Sequence, residues 1–298
     1  MAPRQGRHIT ETIEKKPGRK GNARTATAVA LRFFAVTYAV TWMLWIIASA
    51  LAGAVGAGEW SSPALRELLY LPGTVAPGVV ALVFVLRVDG PAAVRRIISR
   101  IGAWRLPARW YFFAALYLVS MELIAAAGYR VIRGDWPAID LGLWYAIVPA
   151  IGVSMWVQAG EEIGWRGFAL PTLARDWGIG PASVVVGLVW ASWHLPLFFI
   201  PGAAPSGQSF VLYLLQVVAL SVAMAYLYWR THASLLLVML MHASVNNTTG
   251  IVQSTAPDAT PMIGLSSSLL GWLTTAVMWA FALYFIVRLH GERELRST

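Results

Sequence analysis

The chain has 298 residues, of which 58% are hydrophobic and only 12% charged, against about 25% charged in an ordinary soluble domain. That balance excludes a water-soluble fold and points to an integral membrane protein built of helices. The net charge of +9 reads as basic loops facing one leaflet, not as a nucleic-acid surface, and the lack of cysteine excludes disulfides, thiolate nucleophiles and cysteine-ligated zinc.

Residues 1–25 are polar and basic, with Arg4, Arg7, Lys15, Lys16, Arg19, Lys20 and Arg24. They lack the apolar stretch of a cleaved signal peptide, so they are expected to form a disordered cytoplasmic tail, with the first apolar segment as an uncleaved anchor. Eight apolar segments follow, each near the roughly 20 residues a spanning helix needs. They run Ala28–Leu51, Leu71–Val88, Trp110–Ile132, Leu143–Ala159, Ala182–Ile200, Phe210–Trp229, Leu235–Val252 and Leu269–Leu289. Pro72, Pro77, Pro149 and Pro196 fall near or inside them, where packing against neighbouring helices absorbs the break. Between the second and third, Val94, Ile97, Ile98 and Ile101 recur at helical spacing among Arg95, Arg96 and Arg100, which predicts a short amphipathic helix on the inner leaflet.

With the N-terminus inside, 19 of the 23 Lys and Arg fall in inner segments and three (Arg66, Arg130, Arg133) in outer loops, with Arg32 inside the first span. This asymmetry favours eight spans in a plasma membrane with both termini cytoplasmic. The expected organisation is a tail (1–25), three transmembrane helices with a basic inner loop (26–142), a functional core (143–252), and a last helix with a short tail (253–298).

Few ionisable groups lie at membrane depth, where they are expensive. Of the five histidines only His194 and His242 fall inside spans, and of the fourteen acids only Glu122, Glu161 and Glu162 lie in or against apolar runs. Glu162 and Arg166 stand four apart and can pair within one helix, while Glu161 points about 100° away. His242 and Asn246, also four apart, share a helix face. Glu161 with His194 could activate a water, with His242 and Asn246 donating to an oxyanion. Equally, Glu161, His194 and His242 could ligate zinc. Depth constrains either arrangement. Glu161 falls at the inner end of its span, His194 about 18 Å and His242 about 10 Å from the inner side. Convergence requires the fourth helix to continue to near Leu170, before Pro171, and predicts a cavity open to the cytoplasm. Glu122 has no obvious partner, and Trp190, four residues before His194, is either packing or pocket wall.

The motifs Glu161-Glu162-Ile163-Gly164-Trp165-Arg166, Trp190-Ala191-Ser192-Trp193-His194 and His242-Ala243-Ser244-Val245-Asn246 resemble, in order, the three motifs of the CPBP family: the CAAX-protease and bacteriocin-processing intramembrane endopeptidases. Tryptophan stands at position 190 where the family usually has phenylalanine. The resemblance runs from about Leu143 to Val252. It implies an all-α polytopic transmembrane bundle of about eight helices with an intramembrane catalytic cavity. It also implies hydrolysis of membrane-associated, in some relatives lipidated, peptides or proteins. Carried over by position, Glu161 and His194 activate water, Glu162 and Arg166 support them, and His242 and Asn246 hold the oxyanion. The family has been described both as metal-dependent, which would place Zn2+ on Glu161, His194 and His242, and as glutamate-dependent without a cofactor. Richness in Ala, Val, Trp and Arg suggests a high-GC bacterium, where a prenylated substrate is not expected. The alternative within the same fold is a non-catalytic immunity or scaffold protein; a proton-coupled transporter would show two matched halves, which this chain does not. Other intramembrane-protease signatures (His-Glu-x-x-His, Gly-x-Ser-x-Gly, Gly-x-Gly-Asp) are absent from the sequence.

Overall fold

The computed structural model describes residues 25–54, 63–140, 142, 144–200, 209–252, 263–266 and 268–297. The basic tail expected over 1–25 therefore lies outside the described residues, save Thr25. The chain is an all-α polytopic bundle. Its elements are α1 (Ala26–Ala54), α2 (Pro63–Asp89), α3 (Pro91–Ser99), α4 (Ala108–Arg133), α5 (Trp144–Gly164), α6 (Leu170–Trp177), α7 (Ile179–Trp193), α8 (Phe210–Arg230), α9 (Leu235–Thr248) and α10 (Leu269–Ser297). Among the described residues the one extended pairing is a bridge between Ile139 and Val252.

All eight expected spans are helices, but six of them are long and apolar enough to cross a membrane: α1, α2, α4, α7 with the turn after it, α8 and α10. That criterion is met by length and composition alone, among the described residues. α9 has 14 residues, about 21 Å of helix, short of a hydrocarbon core of about 30 Å. α5 ends on the two glutamates. α5 is buried only near that end, at Gln158 and from Glu161 to Gly164, and exposes Trp144, Tyr145, Val148, Val153 and Trp156 along the rest.

The helices divide by what they face. α8 buries twelve consecutive residues, Val217 to Tyr228, so it has no lipid face there and forms the centre. α1 instead exposes Leu31, Met43, Ile46 and Leu51 as a lipid-facing surface. Lipid is as apolar as leucine, so close backbone approach does the packing work that water would otherwise drive. The clearest case joins α2 to α5. A Cβ on Gly78 would lie 2.4 Å from the Gly160 carbonyl oxygen, one on Gly160 would lie 2.6 Å from Val75 Cα, and one on Gly164 would lie 2.7 Å from the Pro77 carbonyl carbon.

One end of the bundle gathers the basic residues. There the Thr27 backbone N–H and hydroxyl, at the start of α1, both donate to Asp176 at the end of α6. The expected amphipathic helix is present as α3, with Ala93 and Ile97 buried and Arg95 and Arg96 exposed. The connector after it covers the turn between α8 and α9: Arg100 donates to the Tyr228 hydroxyl (2.9 Å) and Ser234 donates to the Ala103 carbonyl (2.9 Å). Ser234 also caps α9 by accepting from Leu237 N–H. The turn itself holds His232 and Ala233 at φ 53° and 65°, a conformation that costs about 1–2 kcal/mol per non-glycine residue.

Candidate active site

The glutamate helix runs further than the sequence suggested. α5 passes through a π-helical turn, Trp165–Ala169, directly into α6, which ends at Trp177 and not near Leu170. Pro171 explains the irregular turn. It has no N–H to donate, and its ring would clash with the carbonyl four residues back, so the turn before it widens and the helix continues. Gly178, at φ 79°, then reverses the chain into α7 in a conformation that glycine adopts without penalty.

That geometry removes the depth mismatch. Glu161 lies seventeen residues before Gly178 and His194 sixteen residues after it, so a helical hairpin folded at Gly178 brings both to the same level, about 25 Å from the turn. α7 ends at Trp193 and His194 occupies its C-terminal cap, followed by a 3₁₀ turn over Leu195–Phe199. Pro196 accounts for the stop, because it disfavours helix at Leu195. His242 reaches the same region by another route. α9 starts below the Arg100–Ala103 connector with Leu235 fully buried, so seven residues suffice.

Glu162, Arg166, His242 and Glu161 are 0%, 1%, 3% and 4% exposed, and His194 is partly buried. Arg166 Nη1 donates to both oxygens of Glu162 (2.9 and 3.1 Å). His242 Nδ1 donates to the same Glu162 Oε1 at 2.8 Å. One carboxylate thus ties the π turn to α9. The guanidinium also lies over the Trp190 ring, with Cζ 4.4 Å from its centroid. Arg166 Nη2 is buried with no hydrogen-bond partner.

Glu161 has a separate set of partners. Trp190 Nε1 donates to its Oε2 at 2.8 Å and Trp165 Nε1 to the same oxygen at 3.4 Å. Oε1 has no hydrogen bond among the described residues. His194 donates from Nδ1 to the Trp190 carbonyl at 2.9 Å, which leaves Nε2 as its lone-pair nitrogen. Glu161 and His242 both lie within coulombic range of His194. The Tyr213 ring stands edge-on to His194, with centroids 5.6 Å apart.

The structure therefore brings Glu161, Glu162, Arg166, His194 and His242 together. Asn246 differs: one turn beyond His242, it is exposed, although the sequence placed both on one face. Glu122, without an assigned partner in the sequence, is buried on α4 and accepts from the backbone N–H groups of Gly250 and Val252, its Oε2 unpaired. Sequence reasoning missed the two indoles on Glu161. Trp165 stands at the i+4 position from Glu161, a spacing that was legible; Trp190 required knowing the hairpin. For zinc, no group of three or more His, Cys, Asp or Glu side chains among the described residues converges closely enough to hold a metal ion. The set Glu161, His194 and His242 does not fit one as it stands.

Fold and centre together define a multi-pass helical membrane protein with a buried Glu–Arg–His cluster where its α5–α6, α7 and α9 segments meet. Residues 142–248 match the family model for Rce1-like proteins, type II CAAX prenyl endopeptidases. The chain is also 22% identical over 226 residues to CAAX prenyl protease 2 of Methanococcus maripaludis, covering 72% of this chain and 81% of the relative. The CAAX-protease resemblance carried by the three motifs stands, and the matched region falls where the motifs placed it.

Proposed function

We propose that the protein is an intramembrane endopeptidase of the CAAX-protease type, with Glu161 and His194 activating the water that attacks a peptide carbonyl. The observation that carries this reading is the pair of free acceptors on adjacent helices. Glu161 Oε1 and His194 Nε2 are left open while Trp190 holds the other polar atom of each group from behind. Water bridging those acceptors loses a proton as its oxygen bonds to the carbonyl carbon. The tetrahedral oxyanion forms against donors from α9. His242, whose Nδ1–H is engaged by Glu162, donates from Nε2 when doubly protonated, and the Asn246 amide approaches from the exposed side. Collapse breaks the C–N bond, and the proton taken from water passes to the leaving amine, giving an acid and an amine. Glu162 and Arg166 hold His242 in place. In this reading the bundle sits in the plasma membrane with both termini cytoplasmic, the site opens to the cytoplasm, and the substrate is a membrane-associated peptide or protein.

The test compares new protein termini in membranes of cells carrying wild type or Glu161→Gln, matched for expression. Termini formed with wild type alone are expected, and they would identify the substrates directly. The same termini at the same rate from Glu161→Gln would defeat the mechanism. No wild-type-dependent termini, with any phenotype kept by the variant, would turn the assignment to the immunity or scaffold alternative.

A further inference from the structure

We infer that Trp190 is a positioning residue of this centre, its indole N–H fixing which oxygen of Glu161 faces the attacking water; the inference rests on the catalytic reading of Glu161 given above. Trp190 is 2% exposed and touches every ionisable member of the cluster except Glu162. Its Nε1 donates to Glu161 Oε2 at 2.8 Å, and its carbonyl accepts from His194 Nδ1 at 2.9 Å. Its ring face carries the Arg166 guanidinium at 4.4 Å, and its edge meets the His242 ring at 4.9 Å and 80°. These groups come from three separate segments: α5 and the π turn, α7, and α9.

The second indole cannot replace it. Trp165 donates to the same oxygen at a longer 3.4 Å from four residues along the same continuous helix, and meets α7 through ring packing against Trp193 at 5.7 Å, so its bond is local where that of Trp190 crosses to another helix. Trp190 supplies the cross-helix reference. A carboxylate on a helix has two equivalent oxygens and a freely turning terminal torsion. A charge-assisted bond to one of them removes that freedom and leaves the other oxygen without a protein hydrogen bond among the described residues. Phenylalanine, usual at this position in the family the motifs resemble, keeps a ring for Arg166 and His242 to pack on but has no N–H. The fixing bond is thus a property of this chain's own residue, and the loss of one atom isolates it.

The experiment replaces the Trp190 indole with benzothiophene, which keeps shape and ring and removes only the N–H, alongside Trp190→Phe. It measures the rate at which wild-type-dependent termini form in membranes. Losing a hydrogen bond to a charged group predicts a rate lower by about 10- to 100-fold in both variants, with unchanged thermal unfolding for the isostere. An independent reading comes from the indole N–H resonances of the 15N-tryptophan-labelled protein. The resonance lost in Trp190→Phe should move in Glu161→Gln and stay in Glu162→Gln. A benzothiophene variant at wild-type rate, where Glu161→Gln is inactive, overturns the role of Trp190 alone. A resonance indifferent to Glu161→Gln overturns the hydrogen bond itself. Wild-type rate from Glu161→Gln overturns the catalytic reading and the positioning role with it.

Discussion

The second half of α5 and the far end of α9 place their candidate site residues by opposite means, one sealed and the other exposed. On α5, Gly160 and Gly164 flank the two glutamates and let the backbone meet α2 at contact distance. Around them Glu162, Arg166, His242 and Glu161 are all but sealed. α9 stops at Thr248, about 20 Å from its start. Its last turn leaves Asn246 exposed, and the chain beyond it is tied down from outside. The Ile139–Val252 bridge, the Asp140 N–H to Ile251 carbonyl bond at 2.8 Å, and Glu122 receiving the N–H groups of Gly250 and Val252 make that tie. Where helices touch backbone to backbone, side chains are fixed by packing and cannot give way. Where a helix ends inside the bundle, its side chains are free to meet something that arrives. The proposed hydrolysis would use both, because groups that activate water must hold still and groups that receive an oxyanion must be reachable.

The largest expected effect breaks the sealed side. Glu162→Ala leaves the Arg166 guanidinium, already short of one partner, as an uncompensated buried charge, and removes the anchor of His242. A loss of about 3–5 kcal/mol in unfolding free energy is expected, read by denaturant titration in mixed micelles, together with loss of hydrolysis. A variant within about 0.5 kcal/mol of wild type would show that the cluster does not hold the helices. Gly160→Ala tests the same side without touching a charge. The added methyl meets Val75 at 2.6–2.7 Å, the backbone Cα included, so the helices must part. About 1–3 kcal/mol is the usual cost of such overpacking. Because Glu161 is the next residue, the hydrolytic rate should fall as well.

Most of this contrast was readable before the fold was known, and the part that was not has definite causes. Eight apolar runs, the basic asymmetry and the i, i+4 spacing of Glu162 and Arg166 follow from local rules, so the helices and the ion pair appear where the sequence places them. The expected extension of the fourth helix past Glu161 is present, but the sequence ends it near Leu170, ahead of Pro171. A single π turn absorbs it, and the reversal sits at Gly178, whose distance from Glu161 and His194 already encoded their meeting. The shortness of α9 was partly legible in Asn246 to Gly250, a polar stretch ending in glycine; Ile251 and Val252 beyond it extend the apparent span, while the backbone leaves the helix at Thr249. The indoles on Glu161 were hidden for another reason: tryptophan in a membrane chain is ordinarily interface anchor or filler, and only its nitrogen, placed by tertiary contact, makes it a ligand for a carboxylate.

The smallest structural effect belongs to the open side, and it sharpens the comparison most. Asn246 is exposed and contributes no hydrogen bond among the described residues, so Asn246→Ala is expected to leave unfolding free energy within about 0.5 kcal/mol of wild type. If its amide receives the oxyanion, the hydrolytic rate nonetheless falls by about 10²–10³. Glu162→Ala loses stability and rate together, whereas Asn246→Ala should lose rate alone. A stability loss comparable to that of Gly160→Ala would mean that the end of α9 is packed as tightly as α5. An unchanged rate would leave His242 as the α9 donor and move the second oxyanion contact to another element, for which Tyr213 on α8, edge-on to His194, is a candidate.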